Sequence, residues 1–105
     1  MIDEHKADDI LRRDVELSAD GVDGVVDVAL AQHEFDALVS FAFNLGLQNL
    51  QQSTLLKRVN EQRFDLAASE FDRWNKAGGK VVNGLVKRRA AERAMFERAD
   101  YSRRP

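Results

Sequence analysis

The sequence predicts an all-α fold, and three observations carry that prediction. Apolar residues recur at steps of three and four along most of the chain, and glycines rather than prolines divide it into helix-length pieces. Period-two alternation is confined to one short stretch. A chain of 105 residues that is 44% hydrophobic suits a single domain with one core.

The first piece, Asp3 to Asp20, places Ala7, Ile10, Leu11 and Val15 on a narrow apolar stripe. Asp3 can cap its first turn and Gly21 can end it. Gly24 to Ala29, with Val25, Val26 and Val28, is the one place where an extended stretch is possible. From Gln32 to Leu45, the residues Phe35, Leu38, Val39, Ala42 and Phe43 mark one face, while Ala37 and Phe41 add apolar bulk on the flank. That helix is apolar most of the way round and is expected to be the buried centre, stopped at Gly46.

A polar loop follows, and Ser53 then caps a short helix whose Leu55, Leu56 and Val59 point inward, ending near Asn60. The next helix, from about Phe64 to Trp74, buries Phe64, Ala67, Ala68, Phe71 and Trp74, and Gly78-Gly79 forms a turn after it. Asn83 is placed to cap a last helix from Gly84 to about Ala99, with Leu85, Val86, Ala90, Ala94 and Met95 inside. The organisation is thus five or so helices around one central buried helix: a linker-type helix over 1–21, a helical lobe over 32–99, and a loose tail over 100–105.

Composition removes several classes of function. With no cysteine there is no disulfide, thiolate metal site or cysteine nucleophile, and His5 and His33 have no partners at metal-ligand spacing, so no metal or cofactor is implied. No apolar run approaches the roughly 20 residues that cross a bilayer. The first residues are acidic and polar rather than leader-like, so a cytoplasmic chain without a membrane role is expected. Net charge is only −2, yet residues 1–52 hold three Lys/Arg against eleven Asp/Glu, and residues 53–105 hold thirteen against seven. The basic half could face an anionic polymer such as cell-wall glycan or nucleic acid. The pairs Glu4/Asp8 and Glu16/Asp20 put two carboxyls one helical turn apart, on a face expected to be exposed, where they act as solubilising charges.

The string Phe35-Asp36-Ala37-Leu38-Val39-Ser40-Phe41-Ala42-Phe43-Asn44-Leu45-Gly46 resembles the central helix of the phage-type lysozymes, the muramidases of lambdoid and T-even phages. Ser53-Thr54-Leu55-Leu56, Arg73-Trp74-Asn75-Lys76-Ala77-Gly78-Gly79-Lys80, and Gly84-Leu85-Val86 with Arg88-Arg89 and Glu92-Arg93 are similar to the family's signature in order and spacing. Ala7-Asp8-Asp9-Ile10-Leu11-Arg12-Arg13-Asp14 resembles the helix that joins the family's two lobes. The resemblance covers residues 2 to 98 and implies the larger, helical lobe. It also implies that the catalytic Glu, Asp and Thr lie on a segment ahead of this helix, so none of them is carried over to any position here. The expectation is a lysozyme-lineage fragment or derivative with no catalytic residue of its own and peptidoglycan as its implied partner.

Four residues are candidates for substrate contact. Asn44 and Gly46 end the central helix at a corner that, by the resemblance, looks into the sugar cleft; each can equally be read as helix-end structure. Trp74 could stack on a sugar ring or belong to the core. Arg88, with Arg89, could grip an anion; alternatively Arg89 pairs with Glu92, or Arg93 with Glu97, at i, i+3 or i, i+4 along the helix. Two other functions remain open: a protein-binding module or inhibitor, using the surface the catalytic lobe would cover against a partner or a second copy, and a nucleic-acid-associated protein. The second is disfavoured because the basic residues are interleaved with acids and no nucleic-acid motif is present.

Overall fold

The computed structural model describes the backbone of residues 4–97 and the side chains of residues 15–97. Six helices follow one another: α1 Glu4–Val25, α2 Gln32–Leu45, α3 Leu47–Gln51, α4 Thr54–Asn60, α5 Phe64–Glu70 and α6 Asn83–Phe96. A 3-10 turn, Phe71–Arg73, extends α5, and a small antiparallel hairpin pairs β1, Lys76–Ala77, with β2, Lys80–Val81. The all-α architecture is as expected from the periodicity. The proposed Asp3 cap, the inward positions Ala7, Ile10 and Leu11, the Glu4/Asp8 pair and the tail over 100–105 lie outside the described side chains.

Helix α2 is the centre, with Ala37, Leu38, Val39, Phe41 and Ala42 buried. It packs on α1 and α3 and most extensively on α6. Around it Val22, Leu50, Leu55, Leu56, Val59, Ala67, Ala68, Phe71 and Phe96 complete one core. Phe41 and Phe71 meet edge to face with centroids 6.0 Å apart, and Phe71 contacts Phe96 at 5.5 Å. Such pairs add about 0.5–1.5 kcal/mol beyond their area. The Ser53 cap forms as expected: its Oγ accepts from Leu56 N–H at 3.1 Å and donates to Leu50 C=O at 2.7 Å. Asn60, at the end of α4, donates to Val25 C=O and accepts from Asp27 N–H, which satisfies the chain leaving α1.

Several details differ from the sequence reading. Helix α1 does not stop at Gly21 but runs through Gly24 to Val25, burying Val22 completely. Gly21 serves packing: a Cβ there would sit 2.6 Å from Leu47 Cδ2. The polar loop expected after Gly46 holds α3, which is too short to show a period but buries Leu50. Asn83 is the first helical residue of α6 rather than its cap; Val82 takes that place and makes no side-chain cap bond. Gly78 and Gly79, at φ 59° and 80°, form the tight turn of the hairpin, where left-handed backbone suits residues without a Cβ. Phe43, expected inside, is 37% exposed, and the fully buried aromatic of α2 is Phe41 from the flank.

Two stability tests follow from this packing. Phe41→Ala should lower the unfolding free energy by about 3–5 kcal/mol, as for a packed aromatic core residue, whereas Phe43→Ala should lower it by less than about 1.5 kcal/mol. Gly24→Ala, in open space on α1, should add roughly 0.5–1 kcal/mol through helix propensity. Gly21→Ala should show no such gain, because displacing Leu47 from its rotamer offsets it. Urea denaturation of the four variants measures all of these.

Candidate site on the α2–α6 face

The stripe of α6 that meets α2 is Arg89, Glu92 and Phe96, a spacing of three and four that places them on one line. Val86, Ala90 and Ala94, expected inside, are exposed, and Leu85 and Met95 are half-buried. The physical reason lies on α2: among its apolar residues Ser40 and Asn44 are one turn apart, and they need polar partners where the two helices touch. Arg89 has no solvent exposure, and Glu92 retains 2%.

The bonds between these groups run through Arg89 Nη2 and Glu92 Oε2, and Arg89 Nη1 has no hydrogen-bond partner. Arg89 Nη2 donates to Glu92 Oε2 at 2.9 Å and to Asn44 Oδ1 at 2.8 Å, and the Ser40 hydroxyl donates to Glu92 Oε2 at 2.6 Å. Arg89 Nε lies 2.8 Å from Glu92 Oε1. That contact is ionic, since the N–H is not aligned with the oxygen. The guanidinium carbon sits 5.4 Å from the centroid of the Phe41 ring, a cation–π position in a dry setting. Burial pulls the Arg89 guanidinium below the ordinary arginine range, and the Glu92 carboxylate opposes that shift. Two charges so placed are poor sources of stability as a pair, but either one left alone is expensive.

Outside this pair the surface is open. A groove of about 410 Å³ is lined by Val15, Asp36, Val39, Ser40, Phe43 and Arg88. A second, of about 420 Å³, runs past Ser40, Lys87, Arg88 and Glu92. Ser40 and Arg88 border both. Arg88 is 44% exposed, with Nε 3.7 Å from Glu92 Oε2, so its guanidinium is available to solvent in a way that Arg89 is not. The idea that both arginines could grip an anion therefore holds geometrically for Arg88 alone.

The four sequence-predicted residues fall around the buried pair. Asn44 touches it directly. Arg88 is its exposed neighbour. Trp74 is half-buried and packs edge-on against Phe41, centroids 5.3 Å apart, the same ring that Arg89 lies over. Gly46 is the C-cap of α2, with φ 97° and its N–H donating to Ala42 C=O at 2.7 Å, and it begins α3. Ser40 and Phe43 are not singled out by the sequence as site residues, and Arg89 and Glu92 stand there only as an anion-gripping arginine or a surface pair along the helix. The signal that could have found them is the pairing of Ser40 and Asn44 on an apolar helix with an Arg-x-x-Glu spacing on another. Elsewhere on α6, Arg93 bonds Asp72, and that bond raises its pKa further and ties the helix to the 3-10 turn. Among the described residues no group of His, Cys, Asp or Glu could hold a metal ion, and no helix is long and apolar enough to cross a membrane.

A family model described as phage lysozyme matches residues 1–92. The endolysin of Bacillus phage B103 is 55% identical over 96 residues, covering 91% of this chain and 36% of that protein. Among solved structures, the muramidase domain of SpmX from Asticaccaulis excentricus matches with a TM-score of 0.84 at 39% identity, over 91% of this chain and 68% of that one. The lysozyme of phage P22 matches with a TM-score of 0.81 at 34% identity, over 91% and 65%. The chain spans 36% and 37% of the length of the endolysins of Bacillus phages B103 and PZA.

If the ion pair is the constraint described, Arg89→Met should destabilise the chain by about 3–5 kcal/mol by stranding Glu92. The double variant Arg89→Met/Glu92→Leu should recover most of that loss. Urea titration of the single and double variants checks this, and equal losses for both would remove the ion pair from the explanation.

Proposed function

The chain belongs to the phage lysozyme family, and from that premise we propose that its 105 residues form the non-reacting helical wall of a peptidoglycan-cleaving site. In this reading they hold glycan without breaking it, and the reacting carboxylates are not among them. The observation that carries the proposal is the occupancy of Glu92. Glycoside hydrolysis needs a carboxylic acid free to protonate the leaving oxygen and a second carboxylate to stabilise charge or direct water. Glu92 is the one fully buried carboxylate among the described residues; its Oε2 accepts from Arg89 and Ser40, and its Oε1 lies in ionic contact with Arg89 Nε. The Glu16/Asp20 pair is exposed, as expected for solubilising charges. Neither arrangement supplies the acid.

Binding is a different matter, because contacts that act on the ground state outlast the loss of the reacting groups. The groove pairs an apolar floor, Val39 and Phe43, with the Ser40 hydroxyl and two opposite charges, the Arg88 cation and the Asp36 carboxylate. This combination suits a sugar ring bearing polar substituents. Asn44 is tied to this face through Arg89, and the half-buried Trp74 through Phe41. We place glycan contact at Asn44 and Arg88, with Gly46 shaping the helix end and Trp74 supporting Phe41 from the core.

A paired assay on purified cell walls tests this. The chain should sediment with the walls and leave their turbidity unchanged, and Asn44→Ala and Arg88→Ala should each reduce the bound fraction by several-fold, the size of one or two lost polar contacts. Clearing of the walls that survives Asn44→Ala but disappears with Glu16→Gln or Asp20→Asn would overturn the proposal, because α1 would then contain an active site.

A further inference from the structure

We infer that Arg89 and Glu92 act together as a positioning device that fixes the side-chain amide of Asn44 with its carbonyl inward, so that the group offered to a ligand at this corner is a hydrogen-bond donor only. The inference rests on the reading above that Asn44 faces glycan.

The chemistry leaves one orientation. A guanidinium has donors and no acceptor. The atom of Asn44 lying 2.8 Å from Arg89 Nη2 is therefore the oxygen. Arg89 cannot turn away, because the same nitrogen is held by Glu92 Oε2 at 2.9 Å, its Nε lies against Oε1 at 2.8 Å, and the Phe41 ring lies beneath the guanidinium. Glu92 is fixed in turn by the Ser40 hydroxyl. Each member of this chain is buried or half-buried until Asn44, which is exposed. The Asn44 Nδ2 protons have no acceptor among the described residues.

An unconstrained asparagine reads donors and acceptors equally well by flipping its amide. A locked one reads acceptors and rejects donors, since a donor placed there would meet N–H against N–H. The ligand group that fits is a carbonyl or carboxylate oxygen. In a cell wall that oxygen can come from the acetamido group of the glycan or from the carboxylate of a peptide stem. Arg89 touches no ligand in this scheme; it acts through Asn44.

The test uses the isotope-labelled chain and two probes. Chitotriose carries acetamido carbonyls and no carboxylate, and L-alanyl-D-isoglutamine carries a free carboxylate and no sugar. The expected result is that the Asn44 side-chain amide resonances move with one of the probes, which identifies the source of the acceptor. Asn44→Asp keeps an oxygen for Arg89 and removes the donor. It should weaken binding of that probe by about tenfold or more with the melting temperature preserved. The folded double variant Arg89→Met/Glu92→Leu should weaken it several-fold while Asn44 is intact, which a purely structural role for the pair would not produce. Unchanged affinity in Asn44→Asp overturns the donor assignment, and unchanged affinity in the double variant overturns the positioning role; in either case glycan binding by the groove still stands. If neither probe moves any resonance on α2 or α6, the glycan-wall reading fails and this inference fails with it.

Discussion

The contact between α2 and α6 is governed by one buried ion pair, Arg89 with Glu92. Desolvating a guanidinium and a carboxylate costs several kcal/mol each, and only close geometry with further hydrogen bonds offsets it. The structure offsets part of that cost by placing Ser40, Asn44 and the Phe41 ring on the facing stripe of α2, while Arg89 Nη1 stays without a hydrogen-bond partner. Once these partners are fixed, the rotation of α6 about its axis is fixed as well. Phe96 then falls against Phe71 and Phe64 in the core, and Arg88 is turned outward beside the groove. A set of leucines at the same positions would pack as well without specifying the rotation so tightly.

Much of the fold was legible in the sequence because it follows from apolar period. The central helix was read to its end residues, Gln32 and Leu45, and Ser53 was read as a cap, since both signals are local. The misreadings share a cause. Phe43 was assigned inward on a face drawn from one helix alone, but the direction of burial is decided by the neighbours, and Phe41 meets Phe71 and Trp74 instead. The inner face of α6 was drawn from Val86, Ala90 and Ala94 because hydrophobic pattern treats arginine and glutamate as outward residues. Gly21 looked like a helix stop because nothing local shows that Leu47 will press against α1 at that point.

The candidate site was legible in part for the same reason. Asn44, Gly46, Trp74 and Arg88 come from motif resemblance; Asn44 and Arg88 each contact the buried pair, and Trp74 reaches it only through Phe41. What joins them, the Arg89–Glu92 pair, was visible only as an ordinary i, i+3 pairing worth tenths of a kcal/mol on an exposed helix. Burial changes its role from surface decoration to the constraint that orients Asn44. An exposed polar group held in this way by buried ones is fixed without a rigid loop.

The most direct test of this account is native-state amide hydrogen exchange across α2 and α6 in the wild-type chain and in Glu92→Gln. If the ion pair couples the helices, the amides of Ala37–Ala42 and Arg89–Phe96 should open together as one unit in the wild type, and the substitution should lower the opening free energy of both helices equally. Exchange in α6 that is independent of α2 and unaffected by Glu92→Gln would contradict the account.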